Sequence, residues 1–470
     1  MASRRNTCTA VLFLCGLLAA VIYLGLGSVP QDRGFAEAQR PARSTRADKA
    51  FYLSQAEEKA AEEKKEVPAM ARAAVRTMAR PLGASLPTYG EAMDAFTQFT
   101  EGSDPAINAL LDRDHLFIEL YGGAQKLMGR RVMEDADPQY TVVRLENGLL
   151  TFSDPDGEET DMTVRAEEMA EFVRRVKKEY KTPVLYVQAP SKLSVSGLPG
   201  GLTDCTEAEA DQFLALLEEA KVDTLDLRPA FQEAAEDDPG KAAELFFQTD
   251  HHWTPAGAFL GFQVLCEKLE EDYRFKIGED LTDPDFFNKY SFGEVFLGSQ
   301  GRRVGAAYAG LDDLEIWSPK EPTHFTYSVP IIGVKREGPF VTSLLFPERL
   351  AEIDLYNDNP YAIYAGGDYL LSRAVNEDLP KGKRVLILRD SFGCGLTPFL
   401  SLCCGEVMAM DPRQFNGNQD IMMHYIDWLE PDLIIVMNTT GSLRVDKLYP
   451  YLPTARAAAI EAKRAGEDEN

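Results

Sequence analysis

Apolar and polar positions along the chain change period several times, and the changes mark its elements. Between residues 140 and 152 (YTVVRLENGLLTF) two short apolar runs flank Glu146-Asn147-Gly148, which predicts a β-hairpin. Residues 166–180 place apolar side chains at helical spacing and 183–188 form a continuous apolar run, predicting an amphipathic helix followed by a buried strand. A helix over 206–221, a short strand over 223–227 and a helix over 229–245 continue the alternation. Thr254 and Pro255 suit the N-cap and first turn of another helix that runs to 273. The rhythm is lost over 275–380, where aromatics, Pro and turn signals crowd together. It returns with strands at 384–388, 406–410 and 432–437 and a helix over 395–404. Strand alternating with helix predicts an α/β fold with a doubly wound parallel sheet, interrupted here by an inserted irregular or β region.

The two ends of the chain do not share that pattern. Residues 8–27 are an uncharged apolar stretch behind Arg4 and Arg5, close to the ~20 residues that span a bilayer. Positive charge on its amino side places the body outside the cytoplasm. The expectation is an uncleaved single-pass membrane anchor, and the rival is a cleaved signal peptide with a secreted body. Residues 28–138 read as a charged helical stalk and N-terminal extension, 139–452 as the α/β domain and 453–470 as a charged tail. A formal net charge of −26 opposes binding of nucleic-acid phosphates. Of seven Cys, Cys8 and Cys15 fall in the apolar stretch; the other five lack zinc spacing and read mainly as small buried side chains. There is no phosphate loop and no dinucleotide fingerprint, and no cofactor is implied.

With only five His in the chain, two stand side by side in FFQTDHHWTPAGAF. In an extended segment Asp250 and His252 share a face, so the carboxylate can hold one ring nitrogen and leave the other free as a base. The residues alone leave three readings open: acid/base chemistry, a metal site on Asp250, His251 and His252, or a structural His-Trp turn. Far downstream, Ser391 follows the apolar run 384–388 and precedes a helix. That junction works like a nucleophile elbow, presenting a hydroxyl beside the free N–H groups of a helix start, although an Asp/Ser N-cap looks the same in sequence.

Other polar residues also fall at the carboxyl ends of predicted strands, where open α/β sheets build sites. Lys192 would meet an anionic group or lie solvated in a loop, and Arg413 stands likewise. Asn438 would donate its amide to an oxyanion or cap a turn. Trp253 completes the motif as a candidate substrate contact. Arg302 and Arg303 suit carboxylate or carbonyl binding, or solvation, equally. His115 reads as a surface residue, and His424 and Trp428 read as helix packing. Aromatics of the insert would line a sugar cleft or simply pack it.

The DHHW tetrad (Asp250–Trp253), YVQAPSK (Tyr186–Lys192), DSFG (Asp390–Gly393) and MDPRQF (Met410–Phe415) resemble the DHHW family of bacterial extracytoplasmic proteins. That family is related to the AlgX and AlgJ type of alginate O-acetylation proteins within the SGNH hydrolase-like superfamily. The resemblance spans roughly residues 140–452. By matching positions it implies Asp250 as acid, His252 as base and Ser391 as nucleophile, with no metal; His251 occupies the variable position. Arg389 stands where a Gly-Asp-Ser pattern would place Gly. The resemblance further implies O-acetylation or de-esterification of a cell-envelope or secreted polysaccharide, with a multi-pass membrane O-acyltransferase as donor partner. A polysaccharide-binding or assembly protein with an idle triad, and a metal-dependent hydrolase, are the alternatives.

Overall fold

The computed structural model describes residues 115–448 apart from 136, 154–157, 237, 352 and 416–418. The expected anchor, the stalk and extension up to residue 114, and the charged tail lie outside the described residues. Among the described residues no helix is long and apolar enough to cross a membrane.

The chain enters through helix α1 (Leu116–Leu127) and a small antiparallel sheet of β1 (Val132–Met133), β2 (Val142–Arg144) and β3 (Leu150–Phe152), the last two forming the expected hairpin. Helix α2 (Thr163–Glu179), strand β4 (Val184–Ala189), α3 (Thr206–Glu219) and β5 (Asp223–Asp226) follow. The single helix expected over 229–245 is two, α4 (Arg228–Ala235) and α5 (Pro239–Leu245). Glu236 turns left-handed at φ 46°, and Asp238 caps the second helix on Gly240 N–H with Pro239 in the first turn. Helix α6 (Pro255–Tyr273) starts as expected: the Thr254 hydroxyl accepts from Gly257 N–H, and Phe259, Phe262, Cys266 and Leu269 form its buried stripe.

The insert holds a two-stranded ribbon of β6 (Phe287–Phe296) and β7 (Asp312–Pro319). Two short helices, α7 (Ser299–Val304) and α8 (Ala306–Ala309), join them. Strands β8 (Phe325–Val329) and β9 (Val334–Gly338), helix α9 (Phe340–Ser343) and strand β10 (Ser372–Asn376) complete it. The regular part resumes with β11 (Arg384–Arg389), α10 (Gly393–Leu402), β12 (Glu406–Met410), α11 (Gln419–Leu429) and β13 (Leu433–Thr439).

The main sheet runs β5-β4-β13-β11-β12-β10-β8-β9. Its first five strands are parallel, as expected, but β10, β8 and β9 extend it antiparallel. The sheet is therefore mixed, and three strands of the insert belong to it. Every residue of β4 (VLYVQA) and β13 (LIIVMNT) is buried, because helices cover both faces of the parallel part. Along β11, Val385 and Ile387 join the cluster under α6 and α10, while Leu386 and Leu388 join the one under α2, α3 and α11. Cys266, Cys394, Cys403 and Cys404 are buried free thiols and Cys205 is half-buried.

Candidate active site

The acid and base sit on a tight loop whose neck is closed by an antiparallel bridge between Phe246 and Trp253. The segment between is a series of bends rather than the extended stretch expected, so Asp250 and His252 meet through a turn. Asp250 Oδ1 accepts from His252 N–H at 3.1 Å and lies 2.5 Å from His252 Nδ1. Asp250 Oδ2 accepts from Ser299 N–H at 2.7 Å. Burial opposes the charge of Asp250, but both neighbouring His and these hydrogen bonds outweigh it and hold its carboxyl well below the ordinary range.

The other ring nitrogen, His252 Nε2, lies 2.7 Å from Ser391 Oγ. Ser391 stands just past the end of β11, after Asp390, so the sheet end supplies the nucleophile as strand-end logic expects. Tyr361 stacks on the imidazole with centroids 3.9 Å apart and donates its hydroxyl to the Ser391 and Phe392 carbonyls. Trp253, fully buried, donates Nε1–H to Phe392 O at 3.1 Å. The indole thus clamps the base loop to the nucleophile junction. Asp250, His252 and Ser391 form one continuous chain of hydrogen bonds drawn from parts of the sequence 139 residues apart.

The remaining candidates make no hydrogen bond to the triad among the described residues. Lys192 is buried beneath the hairpin, its ammonium donating to Leu150 O, Gln248 O and Gln300 Oε1 at 2.5, 3.2 and 3.2 Å. It is not the solvated loop lysine of the alternative reading. Burial pushes its pKa down to about 7, against the pull of Asp312 and Asp250. Arg413 grips Asp411 and Asp368 and makes no hydrogen bond to the triad. Asn438 is not at a turn but inside β13; its buried amide nitrogen has no hydrogen-bond partner among the described residues. Arg302 donates to Leu297 O and Asp358 O, and Arg303 pairs with Asp135 and lies over the Tyr140 ring. His115 stacks on Tyr356. His424 and Trp428 are exposed on α11, whose packing face is Met422, Met423, Ile426 and Leu429. Most insert aromatics, Phe325, Tyr327, Phe340 and Tyr364 among them, pack in the core.

Arg389 has a specific use. Its buried guanidinium donates to Asp368, to Gly367 O and to Asp390 O, tying the 367–368 turn to the nucleophile. Burial works to raise the Asp368 pKa, but Arg389 and Arg413 prevail and hold it at about 2. Sequence reasoning missed Tyr361, Ser299 and Asp312. Only Ser299 had a signal, the Gly298–Gly301 GSQG turn, where Gly is required because a Cβ at Gly298 would meet Asp250 Cα at 2.4 Å.

With this geometry in hand, comparison with known proteins is direct. Residues 151–282 match the family model described as the SGNH hydrolase-like domain of acetyltransferase AlgX. The resemblance is to an AlgX-type SGNH hydrolase-like domain. Asp250 and His252 lie inside the matched segment and Ser391 beyond it. Among solved structures, Bacillus cereus PatB1 carrying a sulfonyl adduct superposes with a TM-score of 0.53 at 18% identity, covering 67% of this chain and 98% of that one. A DHHW family protein from Eubacterium siraeum superposes with a TM-score of 0.52 at 15% identity, over 68% of this chain and 98% of its own. At such identities the likeness is one of fold. No curated protein matches the chain.

Proposed function

We propose that this SGNH-like domain is a serine O-acyltransferase or esterase working through an acyl-Ser391 intermediate. The observation that carries the reading is the assembled relay, Asp250 to His252 at 2.5 Å and His252 to Ser391 at 2.7 Å. Asp250 holds the proton on Nδ1, so Nε2 is bare and takes the Ser391 proton as Oγ attacks an ester carbonyl. The tetrahedral oxyanion is held by the Ser391 N–H, which has no hydrogen-bond partner among the described residues. The neighbouring Phe392 N–H is already spent on Asp390. Collapse breaks the ester C–O bond and returns the proton from Nε2 to the departing oxygen. An acceptor hydroxyl or water then gives its proton to Nε2 and attacks the acyl carbon, and Ser391 Oγ leaves with that proton. The cycle balances without cofactor or metal.

The acyl group is read as acetyl and the acceptor as a cell-envelope or secreted polysaccharide, supported by the AlgX-type match. Residues 1–27 anchor the domain outside the cytoplasm, supported by the apolar stretch and the charge before it. A multi-pass membrane acyltransferase is the donor that suits this arrangement. The test is hydrolysis of p-nitrophenyl acetate by the full-length chain, beside Ser391→Ala and His252→Ala variants of unchanged circular dichroism. Loss of roughly 10³-fold or more in kcat in both variants is expected. Equal rates in all three proteins would discard the reading.

A further inference from the structure

The relay leaves one member of the DHHW tetrad without work. His251 lies outside the hydrogen-bonded triad, yet its ring faces that of His252 with centroids 3.8 Å apart. Its Nδ1 is 3.8 Å from Asp250 Oδ1 and 2.8 Å from Ser299 Oγ. One nitrogen of each imidazole and a carboxylate oxygen of Asp250 all fall within 4.8 Å of one another. The His251 side chain is 41% exposed, whereas those of Asp250 and His252 are 5% and 4% exposed. Solvent therefore reaches the cluster from the His251 side.

We infer that Asp250, His251 and His252 form a site for a zinc-like divalent transition ion whose occupancy switches the triad off. Two imidazole nitrogens and one carboxylate oxygen are a donor set that suits zinc and its first-row neighbours, with a fourth position left for solvent. Hard cations such as magnesium prefer all-oxygen cages and are poorly served. Zinc–ligand bonds of about 2.0–2.1 Å place tetrahedral ligands roughly 3.4 Å apart; Asp250 Oδ1 and His252 Nδ1, 2.5 Å apart, must therefore part by about 1 Å, while His251 Nδ1, 3.8 Å from Asp250 Oδ1, must draw in by about 0.4 Å. His251, the exposed member, is free to make that movement at the cost of its bond to Ser299.

The consequence for catalysis follows from where the ring proton sits. In the relay Nδ1 of His252 carries the proton and Nε2 is bare. A metal ion takes the Nδ1 lone pair, and the single ring proton moves to Nε2 with none gained or lost. Nε2–H then donates to Ser391 Oγ and cannot accept its proton. The same Asp250 oxygen cannot hold an Nδ1 proton and bind the ion beside it, so metal and catalytic tautomer exclude one another. The metal site rests on its own geometry; only its effect on turnover rests on the acyl-transfer reading.

The experiment uses the full-length chain, stripped with EDTA and titrated with CoCl₂ and ZnCl₂, beside His251→Phe, which keeps the stacked ring and loses the ligand nitrogen. In the unsubstituted protein cobalt should give the visible absorption of a tetrahedral site, and zinc should bleach it. Zinc should lower p-nitrophenyl acetate hydrolysis at least about tenfold, reversed by EDTA. His251→Phe should still hydrolyse the ester without metal, and relative to its own metal-free rate should need at least roughly tenfold more zinc for inhibition, the scale of losing part of a ligand set. Absence of a cobalt spectrum up to millimolar metal, equal zinc inhibition of both proteins, or a rate that rises with zinc would each overturn the inference. Were the metal-free chain inactive on esters, the cobalt spectrum and its loss in His251→Phe would still decide the metal site, so failure of the acyl-transfer reading shows separately.

Discussion

The base half and the nucleophile half of the site are each braced by a buried carboxylate, and the two carboxylates come from very different places. Beside the nucleophile, Asp390 Oδ1 accepts from Phe392 N–H, and Oδ2 accepts from Thr439 N–H at 2.8 Å with Thr439 Oγ1 and Ser442 Oγ at 3.0 and 2.7 Å. This brace is the residue next to Ser391, and its donors lie at the end of β13, the parallel neighbour of β11. Beneath the base loop, Asp312 accepts from Gln248 N–H at 2.6 Å, from Thr249 N–H at 2.8 Å and from Thr249 Oγ1 at 2.5 Å. Asp312 opens β7 inside the insert, more than sixty positions along the chain. Ser299 N–H on Asp250, Gly298 N–H on Thr249 Oγ1 and Gly301 N–H on Thr249 O come from the insert too. The nucleophile is thus presented by the sheet, while acid and base are held by the insert.

If that contrast is right, the base half should be the easier one to break from the insert. The largest effect is expected from Gly298→Ala. Its new Cβ would lie 2.1 Å from Asp250 Cβ and 2.6 Å from Asp250 N, so backbone must move and the acid moves with it. A displacement near 1 Å of a positioned group costs on the order of 10²-fold, and kcat/KM should fall by about that much while the chain stays folded. Unchanged ester hydrolysis in a folded Gly298→Ala protein would show that the insert does not set the position of Asp250.

Asp312→Asn and Asp390→Asn should separate next. Each exchanges an acceptor oxygen for an NH₂ facing a backbone donor, a loss of about 1–3 kcal/mol. Asp312 also supplies negative charge to the buried Lys192, and its removal leaves that ammonium less compensated. Asp312→Asn should therefore cost about 3 kcal/mol of unfolding free energy in urea, against about 1–2 kcal/mol for Asp390→Asn. Equal costs would remove the distinction between the two braces.

The same contrast explains what could be read from sequence. The parallel strands were legible because burial on both faces makes a continuous apolar run, as in 384–388. Strands β8 and β10 were not placed individually: their burial alternates residue by residue within a segment crowded with turn signals, so period-2 stretches of five read only as an irregular or β insert. Ser391 was legible from the strand end before it, and Asp250 with His252 from their spacing. Asp312 carries no local mark, since a lone Asp opening a strand is ordinary and its partners are set by tertiary folding. Lys192 does follow a strand end, but the hairpin residue Leu150 covers it, and no spacing rule foretells that contact.

The smallest effect is a slope rather than a loss, and it belongs to the base half alone. Lys192 titrates at about 7 when folded and at 10.5 when exposed. Below pH 7 it is charged in both states and adds no slope. Between about 7 and 10.5 the unfolded chain binds the extra proton, so unfolding free energy rises with pH, by up to about 1.4 kcal/mol per unit. Asp368, the paired carboxylate of the nucleophile half, is held at about 2 and stays charged throughout that window. Urea midpoints measured across it should climb less in Lys192→Met than in the unsubstituted chain, while Asp368→Asn keeps the parent slope. Parallel curves for Lys192→Met and the parent would mean that Lys192 stays protonated on its three acceptors to high pH. The base half would then rest on a Lys192 ammonium that stays charged beneath the hairpin, with Asp312 pulling in that direction.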